Sequence, residues 1–197
     1  MLKKIIATML ALSLLASLTA CGGSASSTAV ASATAAPSSA AGSSEKLKVS
    51  VSFNAMKEFA EAVGKDKVEI STIIPDGMEP HDFEPKAQDL VALSSADVFI
   101  YNGLGMEAWA EKAITAADNT ALIAVDASAG ADAIENTDPA EVSEHGQYDP
   151  HLWLSITGAK TELENIKNAF VKADPVKESF YETNYQDYTD QLDTLYQ

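Results

Sequence analysis

From Leu47 to Val125 the chain alternates short strand patterns with helical ones, and no other feature narrows its fold as much. Leu47 to Phe53 switches between apolar and polar side chains and reads as a strand; Asn54 to Val63 reads as a helix, with Gly64 as its stop. A second strand, Lys67 to Ile74, runs into Pro75-Asp76-Gly77, and Lys86 to Ala96 is helical in pattern through Leu90 and Leu93. Asp97 to Tyr101 is a short apolar strand, Met106 to Ala117 a helix and Ala121 to Val125 a fourth strand. This order calls for right-handed crossovers, so the sequence predicts an α/β fold: a mostly parallel four-stranded sheet flanked by helices.

The pattern stops between Asp126 and Pro150, a stretch with seven acids and no Lys that reads as a long loop. Periodicity resumes at His151 to Ser155, followed by a helix from about Thr157 to Val171. A last helix, from Pro175 or Val176 to the end, has one apolar face built on Phe180, Tyr181, Tyr185, Tyr188 and Leu192. Its 22 residues would span about 33 Å, long for a helix that ends a domain of this size. No Gly, Asn or Pro closes it, and it reads as unfinished.

The N-terminal 44 residues have a different character. Lys3 and Lys4 precede an apolar run from Ile5 to Leu18 and small residues before Cys21, the pattern of a secretory signal peptide over residues 1–20. The run is too short for a spanning helix, which needs about 20 residues. Leu18-Thr19-Ala20-Cys21 resembles the lipobox of bacterial lipoproteins, which implies cleavage before Cys21 and lipidation of that cysteine. Residues 22–44 are mostly Ser and Ala without a charge or an aromatic ring, so residues 21–44 read as a lipidated cysteine and a flexible tether.

Composition then excludes several functions. The chain has 13 Lys and no Arg against 29 acids, a net charge of −16. Nucleic-acid affinity depends on clustered cations, so a nucleic-acid partner is excluded. A single cysteine permits neither an internal disulfide nor a multi-cysteine zinc site.

The residues that suit chemistry are histidines. In open parallel sheets, ligands bind beyond the carboxyl ends of the strands. His81, in Met78-Glu79-Pro80-His81-Asp82-Phe83-Glu84-Pro85, and His151, in Tyr148-Asp149-Pro150-His151-Leu152-Trp153-Leu154, both fall on that edge. Two imidazoles there supply half of a tetrahedral shell, or else are solvated loop residues. Asp82 and Asp149 either orient the neighbouring rings or cap turns, and capping is the favoured role.

Three segments carry a family resemblance: Gly77 to Pro85, Asn102-Gly103-Leu104-Gly105-Met106-Glu107-Ala108-Trp109, and Asp149 to Leu154. In this order, each placed after a strand, they resemble successive motifs of the zinc- and manganese-binding solute-binding lipoproteins of ABC transporters, and the resemblance extends from about Lys46 to Gln197. It implies two α/β lobes joined by a long helix, with the metal in the cleft between them. It also implies His81 and His151 as the two ligands from the first lobe, with the remaining two outside this chain. Residues 45–174 then form the N-terminal metal-binding lobe, and residues 175–197 start the interdomain helix. Asn102 to Trp109 has no evident ligand role, and Trp109 reads as core. His145, in the acidic loop, resembles a reduced form of the His-rich insert of zinc-transporting relatives and is a candidate accessory site.

The expected function is therefore that of an extracytoplasmic, lipid-anchored, monomeric receptor. It captures Zn2+, with Mn2+ as the alternative, and delivers it to an ABC permease. A surface adhesin and a zinc metallohydrolase are the competing classes. The second lacks a His-Glu-x-x-His helix, a Gly-x-Ser-x-Gly elbow and a cysteine nucleophile, so no enzyme activity is expected.

Overall fold

The computed structural model describes residues 45–195; the expected signal peptide and tether, Cys21 included, lie outside the described residues. Its four strands are β1 (Leu47–Val51), β2 (Val68–Thr72), β3 (Val98–Tyr101) and β4 (Ile123–Asp126). They form one parallel sheet in the order β2-β1-β3-β4. Five helices accompany them: α1 (Asn54–Gly64), α2 (Ala110–Ala116), α3 (Pro139–His145), α4 (Ile156–Ala173) and α5 (Glu178–Thr194). The expected fold class is the observed one.

The strand order follows from burial. β1 and β3 are central, and Val49, Val51, Val98, Phe99 and Ile100 on them are almost wholly buried. A strand covered on both faces needs an apolar run rather than alternation, which is what Val-Phe-Ile-Tyr provides in β3. The β1-α1-β2 unit steps one way across the sheet and β3-α2-β4 the other, so right-handed crossovers place α1 and α2 on opposite faces. The order therefore reverses between β1 and β3, and a ligand crevice belongs at their carboxyl ends.

α4 starts at a Ser155 cap, whose Oγ accepts from the Gly158 amide at 3.0 Å. Ala159, Leu163, Ile166 and Phe170 form its buried stripe, packed against α1, β3 and β4. α5 lies along α1 and α4: Tyr181 is buried against the Phe170 ring at 5.5 Å, and Asn184 Nδ2 donates to the Val63 carbonyl at 2.9 Å. After a 3-10 turn at Pro175–Lys177, its 17 residues cover about 26 Å. Among the described residues no helix is long and apolar enough to cross a membrane.

Three segments differ from expectation. Lys86 to Ala96 is a series of turns ending in a 3-10 turn at Leu93–Ser95, with i to i+3 bonds such as Asp89 N to Lys86 O at 2.9 Å. The Asp89 carboxylate takes the Lys86 amide at 2.7 Å, drawing the backbone into a turn, and the Leu90–Leu93 spacing suits three residues per turn. Only Ala110–Ala116 of the expected Met106–Ala117 helix is regular, because Gly103, Leu104 and Gly105 all have positive φ and the following turns are tight. The acidic stretch is not wholly a loop. It contains α3, started by Asp138 Oδ1 accepting from the Ala140 amide and by Pro139, and stopped at Gly146 with φ 93°.

Two sites test this packing. At Gly103, φ is 91°, and an added Cβ would collide with Asp126 Oδ1 and Ser128 Oγ. Gly103→Ala is expected to cost at least about 2 kcal/mol in denaturant unfolding, from strain and overlap together. Glu162, on the buried face of α4, has no exposure, and among the described residues neither of its oxygens has a hydrogen-bond partner. Burial pushes its carboxyl up to about 8, and the charges of Glu107 and Asp126 add to the shift. The folded chain thus holds a proton that the unfolded chain loses near pH 4.5, so its stabilising effect is full below that pH and is gone above about 8. The melting temperature should therefore fall as pH rises from 5 to 9, and Glu162→Leu should flatten that fall, with the largest gain on the alkaline side.

Candidate metal centre

His81 is held between two anchors. Upstream, the chain continues past β2 along β1, with Ile73 N donating to Val51 O at 2.9 Å and Ile74 N to Ser52 O at 2.8 Å. Pro75-Asp76-Gly77 then turns it, Gly77 taking φ 83° and Met78 N returning to Pro75 O at 3.1 Å. Downstream, Phe83 is buried with its ring 6.0 Å from that of Trp109, which in turn lies 6.2 Å from Phe99 of β3. His81 stands between these fixed points, its amide donating to Glu79 Oε1 at 3.5 Å.

His151 arrives differently. No strand of the sheet precedes it, contrary to expectation. The segment is instead tied by an isolated antiparallel bridge between Glu135 and Tyr148 and by Asp149 N donating to Ile134 O at 2.8 Å. Past His151 the backbone makes a 3-10 turn at Leu152–Leu154 and enters α4. Asp149 both caps and orients: its Oδ1 accepts the His151 amide at 2.9 Å and lies 2.7 Å from His151 Nδ1. Engaging Nδ1 in this way assigns Nε2 as the atom that would take a metal. The ring is also flanked by Trp153 at 5.2 Å, itself edge-on to Phe53 at 5.0 Å.

These two routes bring together side chains 70 positions apart, with the His81 and His151 ring centroids 5.5 Å from each other at 60°. With Zn–N bonds of about 2.0–2.1 Å, two imidazoles on one tetrahedral ion place their ring centres about 5 Å apart, so the pair fits a shared ion. Among the described residues no group of three or more His, Cys, Asp and Glu side chains is arranged to hold a metal. His145 is the last residue of α3, and Cys21 lies outside the described residues.

The middle motif, which offers no ligand, forms the turn after β3 and reaches the segment before His151. The Glu107 carboxylate accepts the amides of Asn102 at 2.9 Å and Gly103 at 3.1 Å, closing the turn after β3. Burial pushes the Glu107 carboxyl up, and those two amides draw it back. The Asn102 side chain, wholly buried, donates from Nδ2 to the carbonyls of Pro150 at 2.9 Å and Gly103 at 3.0 Å. Asn-Gly directly after a strand was the available signal for such a turn; its link to Pro150, 48 residues on, has none in the sequence.

Known proteins resemble this chain in sequence and in fold. The family profile described as "ZnuA: Zinc-uptake complex component A periplasmic" matches residues 49–197. The high-affinity zinc uptake system protein ZnuA of Bacillus subtilis is 35% identical over 159 residues, covering 77% of this chain and 50% of that protein. The manganese ABC transporter substrate-binding lipoprotein PsaA of Streptococcus anginosus is 34% identical over 160 residues, covering 78% and 50%. The crystal structure of the metal-dependent lipoprotein YcdH of Bacillus subtilis superposes with a TM-score of 0.68 at 37% identity, covering 76% of this chain and 53% of that one. The chain thus spans about half the length of the curated relatives it matches. On the profile match and the shared fold together, the chain belongs to the ZnuA family of metal-binding substrate-binding proteins of ABC transporters.

Proposed function

We propose that this chain forms the metal-receiving lobe of an extracytoplasmic receptor, lipid-anchored through Cys21, that captures a divalent transition metal and hands it to an ABC permease. The observation that carries the reading is the convergence of His81 and His151 to 5.5 Å at the carboxyl edge of the sheet, where α/β folds bind ligands. Residues 45–174 are read as this lobe and residues 175–197 as the start of a helix leading to a second one, whose side chains complete the shell. Zinc is favoured over manganese, since imidazoles suit zinc while manganese prefers carboxylate and water oxygens. His145 adds an accessory imidazole in the acidic segment. The named relatives include both a zinc and a manganese protein, so metal choice is a property to be measured.

Zinc at 100 times its dissociation constant should add about 2.7 kcal/mol to the folded state of the chain. In His81→Ala and His151→Ala that gain should disappear, as read by thermal unfolding with and without Zn2+. Two protein ligands leave a four-coordinate ion half solvated, so binding by residues 1–197 alone should be weak; nanomolar binding indifferent to both substitutions would place the site elsewhere. Asp149→Ala should lower zinc affinity roughly 10- to 100-fold through loss of the ring's orientation, with Asp149→Asn, which retains an oxygen acceptor, in between. Isothermal titration at fixed pH measures both.

A further inference from the structure

Nothing in the metal reading requires the middle motif, yet its asparagine is among the most constrained residues of the fold. Asn102 follows β3 directly, is wholly buried, and is engaged at its amide, its carbonyl and its side chain. The amide donates to Glu107 Oε1, the carbonyl accepts from Ser128 N at 3.0 Å, and Nδ2 reaches Pro150 O at 2.9 Å. Pro150 lacks an amide proton, so its carbonyl is the only backbone polar group it can offer, and it adjoins His151. That carbonyl also accepts from Leu152 N at 2.9 Å, so one oxygen fixes the peptide before His151 to β3 on one side and to the 3-10 turn on the other.

The position of His151 needs such a tie. Twenty-four residues, 127–150, separate β4 from it, including α3 and no strand of the sheet. His81 derives its place from the sheet, through Ile73 and Ile74 on β1. His151 obtains a direct side-chain-to-backbone reference through Asn102, which follows β3, the strand paired with β1, beside the packing of Trp153 on Phe53. We propose that Asn102 is a positioning residue for metal capture: by holding Pro150 O to the end of β3, it fixes the His151 backbone at the spacing from His81 that lets both rings reach one ion. Glu107 supports it by holding the turn from which Asn102 projects. This rests on the reading of His81 and His151 as ligands. Supporting contacts outside the ligand set commonly change metal affinity 10- to 100-fold, and Asn102 acts one residue further away, so a loss of about tenfold is expected.

The test titrates Zn2+ into the full chain by calorimetry and follows the histidine ring signals by NMR. Asn102→Ala and Asn102→Asp, the second keeping the volume but losing the donor, should each weaken zinc binding about tenfold. Asn184→Ala, which removes another buried Asn-to-carbonyl bond, between α5 and α1, should lower the melting temperature and leave affinity unchanged. In a His151→Ala background, Asn102→Ala should cause no further loss, because there is no ring left to position. In the unsubstituted chain, hydrogen exchange of the Asn102 side-chain amide should slow when zinc is added by more than that of Asn184, which reports only the general gain in stability. Wild-type affinity in a folded Asn102 variant, an equal loss in the His151→Ala background, or an equal loss in Asn184→Ala would overturn the proposal. Should the Asn102 variants fail to fold, exchange at Asn102 that slows no more than exchange at Asn184 would do so. If His81→Ala and His151→Ala both bind zinc like the unsubstituted chain, the metal reading itself fails, whatever Asn102 does.

Discussion

The pairing of β1 with β3 is the constraint on which both histidine segments depend. Its last rung runs through Ser52, whose amide donates to Ile100 O on the β3 side at 2.9 Å and whose carbonyl receives Ile74 N at 2.8 Å. One residue thus joins the strand that leads to Asn102 with the segment that leads to His81. Parallel strands lie about 4.8 Å apart, a spacing the backbone sets and side chains hardly alter. The segments leading to His81 and to Asn102 leave β2 and β3, which flank β1 on the same edge, and therefore start with their separation already fixed. The chain spends its turn-forming and capping residues on carrying that separation outward to the rings.

How each element was or was not legible follows from the range of the forces that form it. All four strands lie within the segments read from alternation and apolar runs, except that β4 extends one residue further, to Asp126, because burial on one or two faces writes itself into consecutive side chains. α3 is not legible in the sequence, although Asp138-Pro139 and Gly146 are ordinary start and stop residues. Two turns are too few to display a periodicity, and seven acids gave the whole stretch the look of a loop. Lys86 to Ala96 failed for the opposite reason: Leu90 and Leu93, three apart, fit a helix and a 3-10 turn equally well.

The site divides in the same way. Each histidine lies in a local motif that can be recognised alone, but their approach to 5.5 Å is a product of closure over 70 positions. The double use of Asp149, on the amide and on the ring of His151, was half legible, since an acid two residues before a turn amide is a familiar cap. The bond from Asn102 to Pro150 joins a side chain to a backbone oxygen across 48 residues, and no pattern of residue types encodes a contact of that kind.

The acid enclosed beneath α4 has a consequence for how the molecule exchanges protons with its surroundings. With Glu162 pushed up to about 8 in the folded chain, unfolding near neutrality releases close to one proton from this carboxyl alone. The heat absorbed on melting then includes the protonation enthalpy of whatever buffer accepts it. Apparent unfolding enthalpies in phosphate and in Tris will differ at the same pH and the same stability, and the part of that difference lost in Glu162→Leu belongs to this buried carboxyl.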